Sequence, residues 1–114
     1  MWIRVAIDKS AIKQGAGGSP YIDGNQMEEF YFDKVIAEKL EADGFLTAMW
    51  KECDAVFDWG DCDFFYPDKC RIMADWLIRK LSGQTEEDLR QIYEKMLEYA
   101  QKAVKHCTGL YFDF

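Results

Sequence analysis

Five aspartates between residues 54 and 68 have the type and spacing that could bind a cation: Asp54, Asp58, Asp61, Asp63 and Asp68. Hard divalent cations prefer convergent carboxylate oxygens, and Asp58, Asp61 and Asp63 could supply three of them from one turn. The residue order of an EF-hand loop, which ends in a glutamate, is absent. A metal-dependent site is therefore an alternative hypothesis for these side chains, and we predict no resident metal or cofactor.

The charge of the chain is distributed unevenly. Its 114 residues include 14 basic and 21 acidic side chains, which gives a net charge of −7. Residues 21–68 alone hold thirteen acids against three lysines, a net charge of −10, while the flanking segments are slightly basic. Nucleic-acid binding needs a basic stripe to contact phosphates, so this distribution argues against it. A negative field of this kind favours a basic protein partner.

An aromatic side chain lies among these acids. Asp61 and Asp63 alternate onto one face of a predicted strand, where like charges repel each other unless a cation or a basic group approaches. Trp59 precedes them, and Trp anchors protein interfaces and accepts cation–π contacts. The predicted partner-binding residues are Asp54, Asp58, Trp59, Asp61 and Asp63.

No other motif indicates catalysis. The glycine-rich run 15–18 follows a predicted strand, as a dinucleotide-binding loop does, but Pro20 stands where the third glycine of that motif belongs. We interpret residues 13–20 as a flexible surface loop. The one histidine, His106, is predicted at the C-terminal end of a helix, where its positive charge interacts favourably with the helix dipole.

The four cysteines (Cys53, Cys62, Cys70 and Cys107) have neither zinc-site spacing nor the density of a secreted disulfide scaffold. We predict buried, reduced thiols, with a Cys62–Cys70 or Cys53–Cys62 disulfide as the alternative. The N-terminus is too short and too charged for a signal peptide, and no apolar run is long enough to span a bilayer. These features predict a cytoplasmic protein without membrane contact.

Hydrophobic periodicity predicts the elements that position these residues. Alternation predicts strands over residues 2–7, 28–32, 61–66 and 110–114, with a helix from Met27 as the alternative for the second. Helical spacing predicts four helices. The first follows an N-cap at Asp33, and the second spans residues 45–57. The third begins at Pro67, and the fourth runs from a capping box at Thr85–Asp88 to Cys107.

These elements predict one α+β domain over residues 1–114. Its sheet has three to four strands, includes both terminal strands, and packs against three to four helices. In size and charge the chain is similar to small acidic bacterial proteins that neutralise a basic partner, such as toxin-immunity proteins. That resemblance implies a non-enzymatic binding module whose acidic segment 21–68 contacts a basic protein. The alternatives are a divalent-cation-dependent enzyme using Asp58, Asp61 and Asp63, and a structural or oligomerising domain.

Overall fold

The strands of this protein form one large and one small antiparallel sheet, in a computed structural model that describes every residue from Met1 to Phe114. The six strands are β1 (Trp2–Ala6), β2 (Ile12–Gln14), β3 (Pro20–Ile22), β4 (Met27–Tyr31), β5 (Cys62–Phe65) and β6 (Leu110–Asp113). The four α-helices are α1 (Lys34–Ala42), α2 (Phe45–Cys53), α3 (Pro67–Leu81) and α4 (Glu87–His106). The main sheet has the strand order β4-β1-β6-β5, and β2 pairs with β3. The predicted α+β fold, with both terminal strands in one sheet, is confirmed.

The alternating pattern of the strands decides which side chains meet the helices. Ile3 and Val5 of β1 are fully buried, as are Leu110 and Phe112 of β6. The register pairs Ile3 with Phe112 and Val5 with Leu110, so all four side chains lie on one face of the sheet. They form one continuous core with buried residues of all four helices.

The opposite face of the sheet is partly covered by a hairpin that was not predicted. Strands β2 and β3 pair in register, and the amide of Gly15 donates a hydrogen bond to the Ser19 carbonyl at 2.8 Å. The interpretation of residues 13–20 as one loop is therefore wrong for residues 13, 14 and 20, which belong to strands, while residues 15–19 connect the two strands at the surface. Gly17 and Gly18 adopt left-handed φ angles of 71° and 79°, which glycine tolerates, so this glycine-rich sequence encodes a tight turn.

The second helix is shorter than its apolar spacing over residues 45–57 predicts. It ends at Cys53, because Asp54 adopts a left-handed conformation with φ of 52°. Ala55 and Phe57 are then buried while Val56 is exposed, which is the alternation of an extended chain. Phe57 lies four residues after Cys53, so a buried residue at this position also fitted the helical period.

The helix starts are confirmed except at α4. The Asp33 side chain accepts a hydrogen bond from the Ile36 amide at 3.0 Å, as an N-cap does, and Pro67 is the first residue of α3. The capping box predicted at Thr85–Asp88 is wrong, because Glu86 occupies the N-cap position of α4 and its side chain makes no capping bond. Thr85 Oγ1 has no hydrogen-bond partner and so caps nothing, while Lys39 Nζ donates to Glu86 Oε1 at 2.6 Å and to Asp88 Oδ2 at 3.0 Å.

The cysteines do not share one environment. All four are free, but only Cys53 and Cys70 are buried, so the prediction of buried thiols is wrong for Cys62 and Cys107. Cys62 lies on the edge strand β5, and Cys107 lies just beyond the end of α4. Burial raises the pKa of Cys53 to about 11 and that of Cys70 to about 12, which keeps these two thiols protonated and unreactive.

A half-buried hydrogen bond ties α4 to the end of α1. The Tyr93 hydroxyl donates to Asp43 Oδ2 at 2.7 Å, and Lys80 Nζ lies 2.9 Å from the same oxygen. Tyr93 is fully buried, and burial followed by the Asp43 contact raises its pKa well above its usual range. The phenol therefore stays a neutral donor whose partner is this one carboxylate.

We expect Asp43→Ala to lower the free energy of unfolding by about 1–3 kcal/mol, because the buried Tyr93 hydroxyl then has no acceptor. The double variant Asp43→Ala with Tyr93→Phe removes both partners and should lose less than the sum of the two single substitutions. Urea unfolding of the four proteins measures this coupling. Strictly additive losses would show that the hydroxyl does not depend on Asp43.

Candidate functional site

The loop between α2 and β5 holds two of the predicted aspartates at the ends of one turn. The amide of Asp61 donates to the carbonyl of Asp58 at 3.2 Å, and Gly60 adopts a left-handed φ of 99° at the third position. A turn of this kind requires positive φ there, which is why glycine suits it. Both carboxylates are exposed. The turn thus fixes Asp58 and Asp61 close together on the surface.

Three of the predicted aspartates line one shallow crevice. Asp58, Asp61 and Asp63 line a space of about 10 Å³ together with Val56, Cys62 and the aromatic residues Phe57, Phe112 and Phe114. Asp54 is exposed at the end of α2 and is not one of its lining residues. The structure therefore brings together three of the four aspartates that the sequence singled out.

Trp59 points away from this crevice but stays next to acidic residues. Its indole is half-buried, with ring centroids 5.1 Å from Phe114 and 6.3 Å from Phe32. It lines a cleft of about 340 Å³ together with Lys34, Glu38 and Glu41 of α1. The two glutamates were not among the predicted partner-binding residues, although their i, i+3 spacing places them on one helix face.

The carboxylates of residues 21–68 divide into paired and unpaired groups. Five of them form ion pairs with Lys or Arg at 2.7–3.4 Å: Glu28, Glu29, Asp43, Glu52 and Asp68. The other eight form no ion pair: Asp23, Asp33, Glu38, Glu41, Asp54, Asp58, Asp61 and Asp63. The negative charge that the chain leaves uncompensated therefore includes the loop and the exposed face of α1. We call the six unpaired residues of these two regions, Glu38, Glu41, Asp54, Asp58, Asp61 and Asp63, the acidic face.

The acidic face does not have the geometry of a metal centre. No three His, Cys, Asp or Glu side chains anywhere in the chain are placed to hold one metal ion. Asp63 Oδ1 accepts a hydrogen bond from the Phe64 amide at 2.8 Å. That oxygen therefore satisfies a backbone amide of the edge strand β5. A carboxylate placed this way shields an edge strand from pairing with another chain.

A second, larger cleft lies on the other side of β5. It measures about 420 Å³, and the β2–β3 hairpin forms one wall while β5 and β6 form the other. Its lining residues are mostly aromatic or small: Gly15, Ser19, Pro20, Tyr21, Cys62, Asp63, Phe64, Tyr66 and Tyr111. The sequence did not reveal this cleft, because it depends on the hairpin folding back over the sheet.

The thiol of Cys62, one of the lining residues, contacts polar groups of the neighbouring strand β6. The Cys62 thiol donates to Asp113 Oδ1 at 3.4 Å, and these residues are cross-strand partners. Burial raises the pKa of Tyr111 above its usual range, and the contact with Cys62 adds to the effect. The Tyr111 phenol is therefore uncharged at neutral pH.

None of the four helices combines the length and the apolar composition that a bilayer-spanning segment requires.

Comparisons with known protein families, with curated proteins and with solved structures return no match to this chain. The geometry and charge of its own surface are therefore the only guide to what the chain binds.

Proposed function

We propose that this protein is a non-enzymatic binding module whose acidic face contacts a basic protein. The observation that carries the proposal is the lack of ion-pair partners for Asp54, Asp58, Asp61 and Asp63, while five other acids of the same segment are paired. Unpaired, exposed carboxylates that lie close together create a field that attracts cationic surfaces and speeds their association.

Trp59 supplies what the carboxylates lack. Exposed ion pairs contribute only about 0–1 kcal/mol each, so charge alone gives rapid but weak association. A half-buried indole between Glu38, Glu41 and the loop offers apolar area with a fixed orientation, since Phe114 supports it at 5.1 Å. Trp is the residue type most enriched among binding hot spots, and its ring accepts cation–π contacts.

The cation-dependent enzyme is the weaker candidate. Asp58, Asp61 and Asp63 line a common crevice, yet no three carboxylates are placed as ligands of one ion. A protein that binds calcium or magnesium is stabilised by mass action. Under our proposal, saturating either ion leaves the melting temperature unchanged.

We also propose the cytoplasm as the compartment of this protein. Cys62 and Cys107 are free and exposed, and Cys53 and Cys70 are free and buried. A reducing compartment keeps thiols in this state.

The proposal is tested by affinity capture from an extract of the source organism at low salt. The immobilised proteins are the wild type, Asp58→Asn with Asp61→Asn, and a matched control, Asp75→Asn with Glu94→Gln, which removes the same charge from exposed positions of α3 and α4. We expect the wild type and the control to retain basic proteins from the extract, and the Asp58/Asp61 variant to lose them. Identical capture by all three proteins would refute the role of the loop.

A further inference from the structure

We propose that the free edge of β4 binds an extended segment of the basic partner, which adds to the main sheet as a fifth strand. This inference deepens the proposed function and rests on it, since the protein drawn to the acidic face supplies the segment. The main sheet has the order β4-β1-β6-β5, so β4 and β5 are its two edges. β1 is the one strand that pairs with β4.

The hydrogen bonds of β4 leave every second residue of the strand without a main-chain partner. Just beyond its end, Met1 and Phe32 exchange two hydrogen bonds, at 3.0 and 3.1 Å. Bonds of an antiparallel pair recur at every second residue, so Glu28 and Phe30 face β1 within the strand. The amides and carbonyls of three residues point away from the sheet and pair with no other strand or loop: Met27, Glu29 and Tyr31.

This edge lacks the devices that usually keep another strand away. Edge strands are commonly blunted by a proline, a bulge or charged side chains. β4 contains no proline, and its register with β1 is unbroken over five residues. Its two charged side chains are engaged elsewhere, Glu29 with Arg4 at 2.8 Å and Glu28 with Lys102 at 2.7 Å. The main chain of β4 is therefore open to a strand that tolerates these glutamates.

The opposite edge of the sheet is partly closed. The Phe114 amide donates to the Asp61 carbonyl, so Cys62 and Phe64 are the outward residues of β5. The Phe64 amide already donates to Asp63 Oδ1 at 2.8 Å, which removes one of the two outward donors. The β2–β3 hairpin also stands beside β5, across the aromatic cleft of about 420 Å³. Strand addition is therefore favoured at β4.

The side chains of β4 favour a basic strand over a second copy of this chain. Like charges directly opposite each other in neighbouring strands are unfavourable, and opposite charges are favourable. Two copies paired about Glu29 would place this glutamate against itself, between chains that each carry a net charge of −7. Arg4 donates to Glu29 Oε2, which leaves Oε1 for a lysine or arginine of the added strand. An apolar side chain opposite the exposed Tyr31 would extend its row with Trp2, whose ring lies 5.1 Å away.

β4 ends next to the acidic face. The ring of Phe32, the first residue after the strand, lies 6.3 Å from that of Trp59. Met1, which pairs with Phe32, lines the cleft between Trp59 and α1. A partner held at this cleft therefore has the edge of β4 within reach of its neighbouring residues.

The test is hydrogen exchange of the isotope-labelled full chain, followed by NMR, with a short synthetic peptide of alternating lysine and valine. We expect the peptide to slow exchange of the Met27, Glu29 and Tyr31 amides and to leave the Cys62 amide of β5 unchanged. Two further peptides carry N-methyl groups either on the lysine amides or on the valine amides. Only every second residue of an added strand faces the edge, so one of the two should bind and the other should not. No slowing at β4, or equal behaviour of the methylated peptides, would overturn the inference.

Variants of Glu29 separate the main chain from the charge. Glu29→Pro removes one outward amide and leaves the bonds to β1, since proline is tolerated on an edge strand where its nitrogen faces solvent. Glu29→Gln removes the same charge and keeps the amide. Glu29→Pro should weaken peptide binding by about two- to tenfold more than Glu29→Gln, the loss expected for one hydrogen bond. Equal weakening would overturn the inference, and if a melt shows Glu29→Pro to be unfolded, the methylated peptides decide alone.

Further results distinguish the edge of β4 from the acidic face. Capture that needs Asp58 and Asp61, without slowed exchange at β4, would refute the edge alone. Slowed exchange at β4, with capture that ignores Asp58 and Asp61, would refute the proposed function alone. A wild type that sediments as a dimer, when Glu29→Pro sediments as a monomer, would assign the edge to a second copy and overturn the inference.

Discussion

Met96→Asp should unfold the protein or cost more than about 4 kcal/mol of unfolding free energy. Met96 lies in the middle of α4 and is fully buried. That helix packs against α3, α1 and β1, so the new carboxylate has no route to water. Burying an unpaired charge is one of the few mechanisms by which a single substitution has so large an effect.

Two controls separate burial from other causes. Met96→Leu keeps the volume and apolar character and should cost less than about 1.5 kcal/mol. Gln91→Asp places the same carboxylate on the exposed face of α4 and should change stability by less than about 0.5 kcal/mol. Circular dichroism during urea unfolding measures all three. A Met96→Asp protein that melts with the wild type would show that this face of α4 is not in the core.

Gly109→Ala should cost about 1–3 kcal/mol or more and should distort the aromatic cleft. A Cβ atom at this position would lie 2.5 Å from Phe64 Cζ and 2.7 Å from the Phe65 carbonyl oxygen. The phenyl ring can move only by leaving the wall of the cleft, and the carbonyl belongs to the backbone of β5. Overpacking against a paired strand is costly because the strand cannot relax alone.

Gly83→Ala is the matched control for this prediction. The nearest atom to its added Cβ is the Lys80 carbonyl oxygen at 3.7 Å, an ordinary contact, and its φ is not left-handed. This substitution should be neutral or stabilise the fold by about 0.4–1 kcal/mol, because it restricts the unfolded chain. Thermal unfolding followed by calorimetry compares the two alanines. Equal melting temperatures would show that β5 tolerates the extra methyl group.

The elements that the sequence predicts well are those with one strong local signal. The 20-residue helix α4 has an apolar face over its whole length, and Leu89, Tyr93 and Met96 are buried as that face predicts. The terminal strands β1 and β6 alternate cleanly and are direct neighbours in the sheet. Burial on one face was enough to fix these elements without knowledge of their partners.

The errors arise where a tertiary contact outweighs a local pattern. Lys39, far away in sequence, binds Glu86 and Asp88, and Thr85 makes no capping bond at the start of α4. The left-handed Asp54 ends α2 although the apolar spacing continues. The hairpin of β2 and β3 forms because Ile22 finds a small core with Ala6 and Ala11. None of these contacts is visible in a local window of sequence.

The candidate site was predictable in charge but not in shape. The density of acids in residues 21–68 predicts a negative surface, yet the sequence could not show which carboxylates are paired. It also could not show that Trp59 lines one cleft with Lys34, Glu38 and Glu41 of α1. The aromatic cleft joins Tyr21 to Tyr111 across ninety residues of chain, so its existence depends entirely on the fold.

Trp59→Ala should raise the dissociation rate of the captured partner by about tenfold or more, because an interface loses its apolar anchor. The association rate should change little, since no charge is removed. Surface plasmon resonance measures both rates, after a melt has confirmed that the variant is folded. An unchanged dissociation rate would remove Trp59 from the interface.

The most direct test of the account is the association rate constant of that partner as a function of salt. Surface charges are screened over about 10 Å at 0.1 M ionic strength, so steering by the acidic face must weaken as salt rises. We predict a steep fall for the wild type and for the Asp75→Asn with Glu94→Gln control. Asp58→Asn with Asp61→Asn should associate more slowly at low salt and show a flatter dependence. An association rate that does not respond to salt, or one that responds equally in all three proteins, would contradict the role of the acidic face.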